Sequence, residues 1–67
     1  MMTAVQLAAI KRLAERYGAG LENVGLVYDI DGVGICGLPR GWVLATVHRD
    51  GDPVVTAGVG PDGRVAT

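Results

Sequence analysis

The sequence predicts a two-layer α+β domain in which one N-terminal helix packs on a four- to five-stranded antiparallel meander. Three observations carry this. Residues 3–17 repeat apolar side chains at the helical period behind a capping signal. Residues 24–59 divide into four short apolar runs separated by tight-turn residues. Within each run the side chains alternate with a period of two, as a strand requires. We found no linker, repeat or low-complexity tract, so residues 1–67 are expected to form one small domain.

The helix has a well-marked start and end. Thr3 with Gln6 fits the S/T-x-x-E/Q capping box, and Met2 with Leu7 occupies the two positions of a hydrophobic staple. Leu7, Ile10, Leu13, Ala14 and Tyr17 form an apolar stripe, whereas Lys11, Arg12, Glu15 and Arg16 lie opposite. Gly18 stands where a left-handed C-cap belongs, and Gly20 loosens the exit. A helix this short gains most of its stability by laying its stripe on a sheet.

The strands are expected over 24–30, 33–38, 42–49 and 53–59, with 64–67 as a frayed fifth. Asp31-Gly32 and Asp50-Gly51 suit two-residue type I′ hairpins, because both central residues must take positive φ. Leu38-Pro39-Arg40-Gly41 places Pro where a turn wants a preset φ, and Pro61-Asp62-Gly63 suits a type I turn with Gly in the bulge position. With two-residue loops, Ile30 pairs with Val33, Leu38 with Gly41 and Arg49 with Asp52. One face then collects Val24, Leu26, Tyr28, Ile30, Val33, Ile35, Trp42, Leu44, Val55, Ala57 and Val59, with Gly37 opposite Trp42. This is the expected core face.

The other face is smaller and flatter but still largely apolar. It includes Val27, Cys36, Leu38, Val43, Ala45, Val47, Val54 and Thr56, together with Gly25, Asp29, Gly34 and Gly58. One helix covers one face, so the second is expected to form an interface, unless the sheet curls to hide it. The expected function is therefore a non-catalytic protein–protein interaction module, either a homodimer or a protein that docks a macromolecular partner through those eight residues. Readings of other classes are a phage- or mobile-element-encoded inhibitor that binds a host protein, and a small-ligand or divalent-metal-binding domain that uses the acidic hairpin tips.

Composition narrows the field. At 67 residues a single core is only marginally stable, and with no Phe and a single Cys neither an aromatic-rich core nor a disulfide scaffold supplies the remainder. Oligomerisation is the remaining common route. A net charge of −1 gives no general attraction for nucleic acid or anionic membrane, so neither is an expected partner. The apolar runs are too short to span a bilayer, and the opening Met-Met-Thr-Ala-Val lacks the basic region of a signal peptide. A lone Cys suits a reducing cytoplasm.

Several strings imitate catalytic motifs. Val27-Tyr28-Asp29-Ile30-Asp31-Gly32-Val33 resembles the first motif of haloacid dehalogenase-type phosphatases, which would make Asp29 the nucleophile and Asp31 the acid/base. That family needs a parallel sheet flanked by helices and further motifs for which this chain has no room, and a hairpin turn explains Asp31-Gly32. Gly32-Val33-Gly34-Ile35-Cys36-Gly37 is a formal G-x-G-x-x-G, yet Leu38-Pro39 follows where a phosphate-binding helix must open. Asp29, Asp31, His48, Asp50 and Asp52 are read as turn formers and strand-end residues rather than metal ligands, with Arg49 pairing Asp52 across the strands. Cys36 lacks a partner His nearby and no Ser exists, so no enzyme and no cofactor is expected. The helix and first hairpin faintly resemble the opening of roadblock-type dimerisation domains. Those place a second helix where this chain passes through Pro39 into a strand, and no family is assigned.

Overall fold

The computed structural model describes residues 2–28 and 37–67. Helix α1 (Ala4–Arg16) is followed by a single 3₁₀ turn (Leu21–Asn23) and strands β1 (Val24–Val27), β2 (Val43–Arg49), β3 (Asp52–Val59) and β4 (Val65–Ala66). Among the described residues these make a four-stranded antiparallel meander in the order β1-β2-β3-β4, with α1 on one face. The two-layer α+β architecture is the one the sequence predicts, with four strands.

The helix is capped at both ends by main-chain and side-chain geometry. Gln6 N donates to Thr3 Oγ1 at 3.0 Å and Thr3 N to Gln6 Oε1 at 3.2 Å, which completes the capping box. At the other end Ala19 N bonds Ala14 O and Gly18 N bonds Glu15 O, a Schellman arrangement that Gly18 permits at a φ of 72°. The buried stripe is Gln6, Ala9, Ile10, Leu13 and Ala14. It is rotated from the predicted one, leaving Leu7 and Tyr17 exposed on the flank.

Gln6 is the reason for the rotation. Its side chain is 1% exposed, and Nε2 donates to Val59 O at 2.8 Å and to Gly41 O at 2.9 Å. Both amide protons and the amide oxygen are thus engaged, so burying the group leaves nothing unpaired. Thr3 Oγ1 adds a bond to Pro61 O at 2.8 Å. Small residues on the same stripe, Ala9 and Ala14, face Ala45 and Ala57 and let the helix lie close to the sheet.

The turns confirm much of the predicted punctuation. Asp50 and Gly51 take φ of 54° and 84°, the pair of positive values a type I′ turn requires, and Arg49 faces Asp52. Gly60 N bonds Arg64 O, Gly63 N bonds Gly60 O and Asp62 Oδ1 accepts from Arg64 N, which closes the turn into β4. The Pro39 turn is displaced by one residue, because Trp42 N bonds Pro39 O across Arg40 and Gly41, the latter at a φ of 83°.

Two expectations for the sheet are corrected. The sequence reading interposed residues 33–38 between the first strand and the Trp42 strand, but β1 pairs directly with β2, Val24 opposite Val47 and Leu26 opposite Ala45. Of that expected strand only Gly37 and Leu38 fall within the described residues, and both lie outside the sheet. The second correction is the register of β3. His48 faces Pro53 but Val47 faces Val55, so Val54 is an extra residue, a β-bulge. From there Ala45 faces Ala57 and Val43 faces Val59.

Replacing Gln6 tests the clamp. Gln6→Ala removes the capping box and strands two carbonyls, and it is expected to cost about 2–4 kcal/mol in urea unfolding. Gln6→Glu keeps the shape but has no donor when ionised. Its stability is expected to be lowest at neutral pH and to recover as pH falls, because a protonated carboxyl donates one bond and the buried carboxylate is the disfavoured form. A Gln6→Glu variant as stable as the parent at pH 7 would contradict this account.

Candidate functional site

The bulge decides which side chains form the helix-free face. β1 and β3 place Val24, Leu26, Val55, Ala57 and Val59 towards the helix, as predicted. For β2 the prediction is reversed. Val43, Ala45 and Val47 are at most 3% exposed beneath α1, whereas a regular ladder from the Asp50-Gly51 turn would have turned Trp42 and Leu44 inward. Three of the eight predicted interface residues are therefore core residues. Tyr28, expected in the core, is exposed just beyond the end of β1.

The remaining predicted residues divide between three situations. Val27 alternates with the core residue Leu26 and projects from the opposite face, 51% exposed. Thr56 shares that face, its hydroxyl 3.1 Å from that of Thr46 on the neighbouring strand. Val54 is exposed at the bulge. Leu38 lies over the sheet near Trp42, its δ methyls 2.8 and 2.9 Å from where a Cβ on Gly58 would stand. Cys36 lies outside the described residues, as do Asp29, Asp31 and the Asp31-Gly32 turn.

Trp42 and two glycines build one end of this face. The indole lies over Gly58 and Gly60, with ring carbons 3.3 and 3.0 Å from their would-be Cβ positions, so any side chain there would displace the ring. Gly37, the expected cover site for Trp42, has no atom of the described residues within 4 Å of its would-be Cβ. Further along, Leu44 and Thr46 are half-buried, and the His48 ring edge stands 3.7 Å from the would-be Cβ of Gly25. Among the described residues, Leu38, Trp42, Leu44, Thr46 and Thr56 give this stretch of the face no carboxylate, ammonium or guanidinium of their own.

Among the described residues no three His, Cys, Asp or Glu groups stand close enough to hold a metal ion. No described helix is long and apolar enough to cross a membrane. On the opposite side of the molecule a groove of about 190 Å³ runs between α1 and β4, floored by Ala9, Leu13 and Val65 and flanked by Arg12 and Arg16. The sequence offered a partial signal for it, the basic helix surface, but the apolar floor needs β4 beside the helix. Comparison with protein-family models, with curated proteins and with solved structures found no match in any of the three.

The two faces are distinguished by paired charge insertions. Ala45→Glu places a carboxylate under the helix and is expected to abolish the cooperative unfolding transition, since several kcal/mol of desolvation exceeds what so small a core sustains. Val27→Glu is expected to stay folded, within about 1 kcal/mol of the parent in urea unfolding. The reverse order of stabilities would restore the regular ladder.

Proposed function

We propose that this chain is a non-catalytic protein-interaction module that forms a homodimer through the helix-free face of its sheet. The observation that carries the reading is the pairing of Val27 exposure with an almost uncharged surround made by Leu38, Trp42, Leu44, Thr46 and Thr56. Such a face meets an identical copy without like-charge repulsion, which is the condition for a two-fold interface in which the same patch serves both partners.

The energetics favour the same reading. Among the described residues the core is built mostly of Ala and Val, and the largest fully buried apolar side chain is Ile10. Small cores of this kind are marginal alone, and association adds burial without enlarging the chain. A reducing cytoplasmic setting agrees with the lone Cys36.

Light scattering across a dilution series tests the proposal. The parent is expected to approach twice the mass of 6.9 kDa at high concentration and to dissociate on dilution. Val27→Glu is expected to remain monomeric with an unchanged circular dichroism spectrum. A parent that is monomeric throughout overturns the homodimer.

A further inference from the structure

We infer that the groove between α1 and β4 is a second interaction surface, which takes an extended acidic–apolar peptide segment of another protein in line with β4. The inference does not rest on the proposed dimer, which uses the opposite face. It comes from three features that meet at one edge of the sheet.

The first is an open main-chain edge. β4 pairs only with Gly58 and Val59, so the outer side of β3 before Gly58 has no strand beside it among the described residues. Gly60 N donates to Arg64 O, and Gly58 faces Ala66 in the same register. The direction of the peptide groups alternates along a strand, so the N–H and C=O of Thr56 also point outward, just past the end of β4. Pro53, which lacks an N–H, and the bulge at Val54 blunt the edge beyond that point. The accessible stretch is therefore short, which favours a peptide segment over a full strand-to-strand dimer.

The second feature is the groove floor of Ala9, Leu13 and Val65, an apolar surface on the helix side of that edge. The third is charge. Arg12 and Arg16 are one helical turn apart on the rim, and neither has a carboxylate partner among the described residues, where the ion pair present is Arg64 with Asp62. Two guanidiniums beside an apolar floor complement a carboxylate placed near an apolar side chain. A strand in line with β4 sends alternate side chains to the helix side, so the matching ligand carries the apolar and acidic residues two positions apart. Nucleic acid fits less well, because it offers no side chain for the floor and no ladder for Thr56.

The probe is the peptide acetyl-Thr-Val-Thr-Glu-Thr-amide, titrated into ¹⁵N-labelled protein, with acetyl-Thr-Val-Thr-Lys-Thr-amide as control. Saturable shifts are expected at Thr56, Val65, Arg12 and Arg16 with the Glu peptide and not with the Lys peptide. Reversing both charges, Arg12→Glu with Arg16→Glu, is expected to weaken binding at least about tenfold, the loss of one charge-assisted contact. Thr56→Pro, tolerated on an edge where the N–H faces solvent, is expected to weaken it while leaving the circular dichroism spectrum unchanged. Should that variant unfold, the arginine pair decides. No saturable shift at millimolar peptide, equal binding of the Lys peptide, or tighter binding of oligodeoxythymidylate at the same amides overturns the inference.

Discussion

One buried amide orients the whole molecule. Gln6 spends both protons on the carbonyls of Gly41 and Val59, which belong to segments entering and leaving the two central strands, and its oxygen accepts from Thr3. A polar group in this position is tolerated only because every bond it can donate is made. Once those bonds exist, α1 has a fixed rotation about its axis and a fixed end over the sheet. Ala9, Ile10, Leu13 and Ala14 then point inward, while Arg12 and Arg16 are left on the rim above β4.

The sheet beneath is governed by a single extra residue. Without the bulge at Val54, the Asp50-Gly51 hairpin would oppose Val55, Ala57 and Val59 to Thr46, Leu44 and Trp42. With it, Val55, Ala57 and Val59 stand against Val47, Ala45 and Val43, and the uniform Ala/Val layer under the helix is complete. Burial selects this register, since a one-residue slip moves an entire strand's apolar set to solvent. Pro53 helps locate the irregularity beside it, because a residue with no N–H weakens the regular ladder there.

Both candidate surfaces follow from these two constraints. The bulge assigns Leu44, Thr46 and Thr56 to the helix-free side, where Trp42 and Leu38 settle over glycine backbone. Gln6 sets the helix so that its basic flank and Val65 of β4 border one groove. The smallness of the core links them energetically: a domain whose buried side chains are mostly Ala and Val has little stability to lose, and surfaces that associate add to it.

The helix, its caps and the Asp50-Gly51 and Pro61-Asp62-Gly63 turns were legible from the chain alone, because each depends on local chemistry: a side chain capping its own helix, or a residue that tolerates positive φ. The helix-on-meander class was legible too, from periodicity. The inward set of β2 was not, since Trp42 and Leu44 are as apolar as Val43, Ala45 and Val47, and alternation alone leaves the choice of side open. Nor was the role of Gln6 beyond its cap, because its acceptors lie 35 and 53 residues away along the chain. Those long-range bonds and the burial they permit were decided by the tertiary structure, where this helix rotation and strand register leave the buried side-chain polar atoms of the described residues paired and Ala9, Ala14, Ala45 and Ala57 covered.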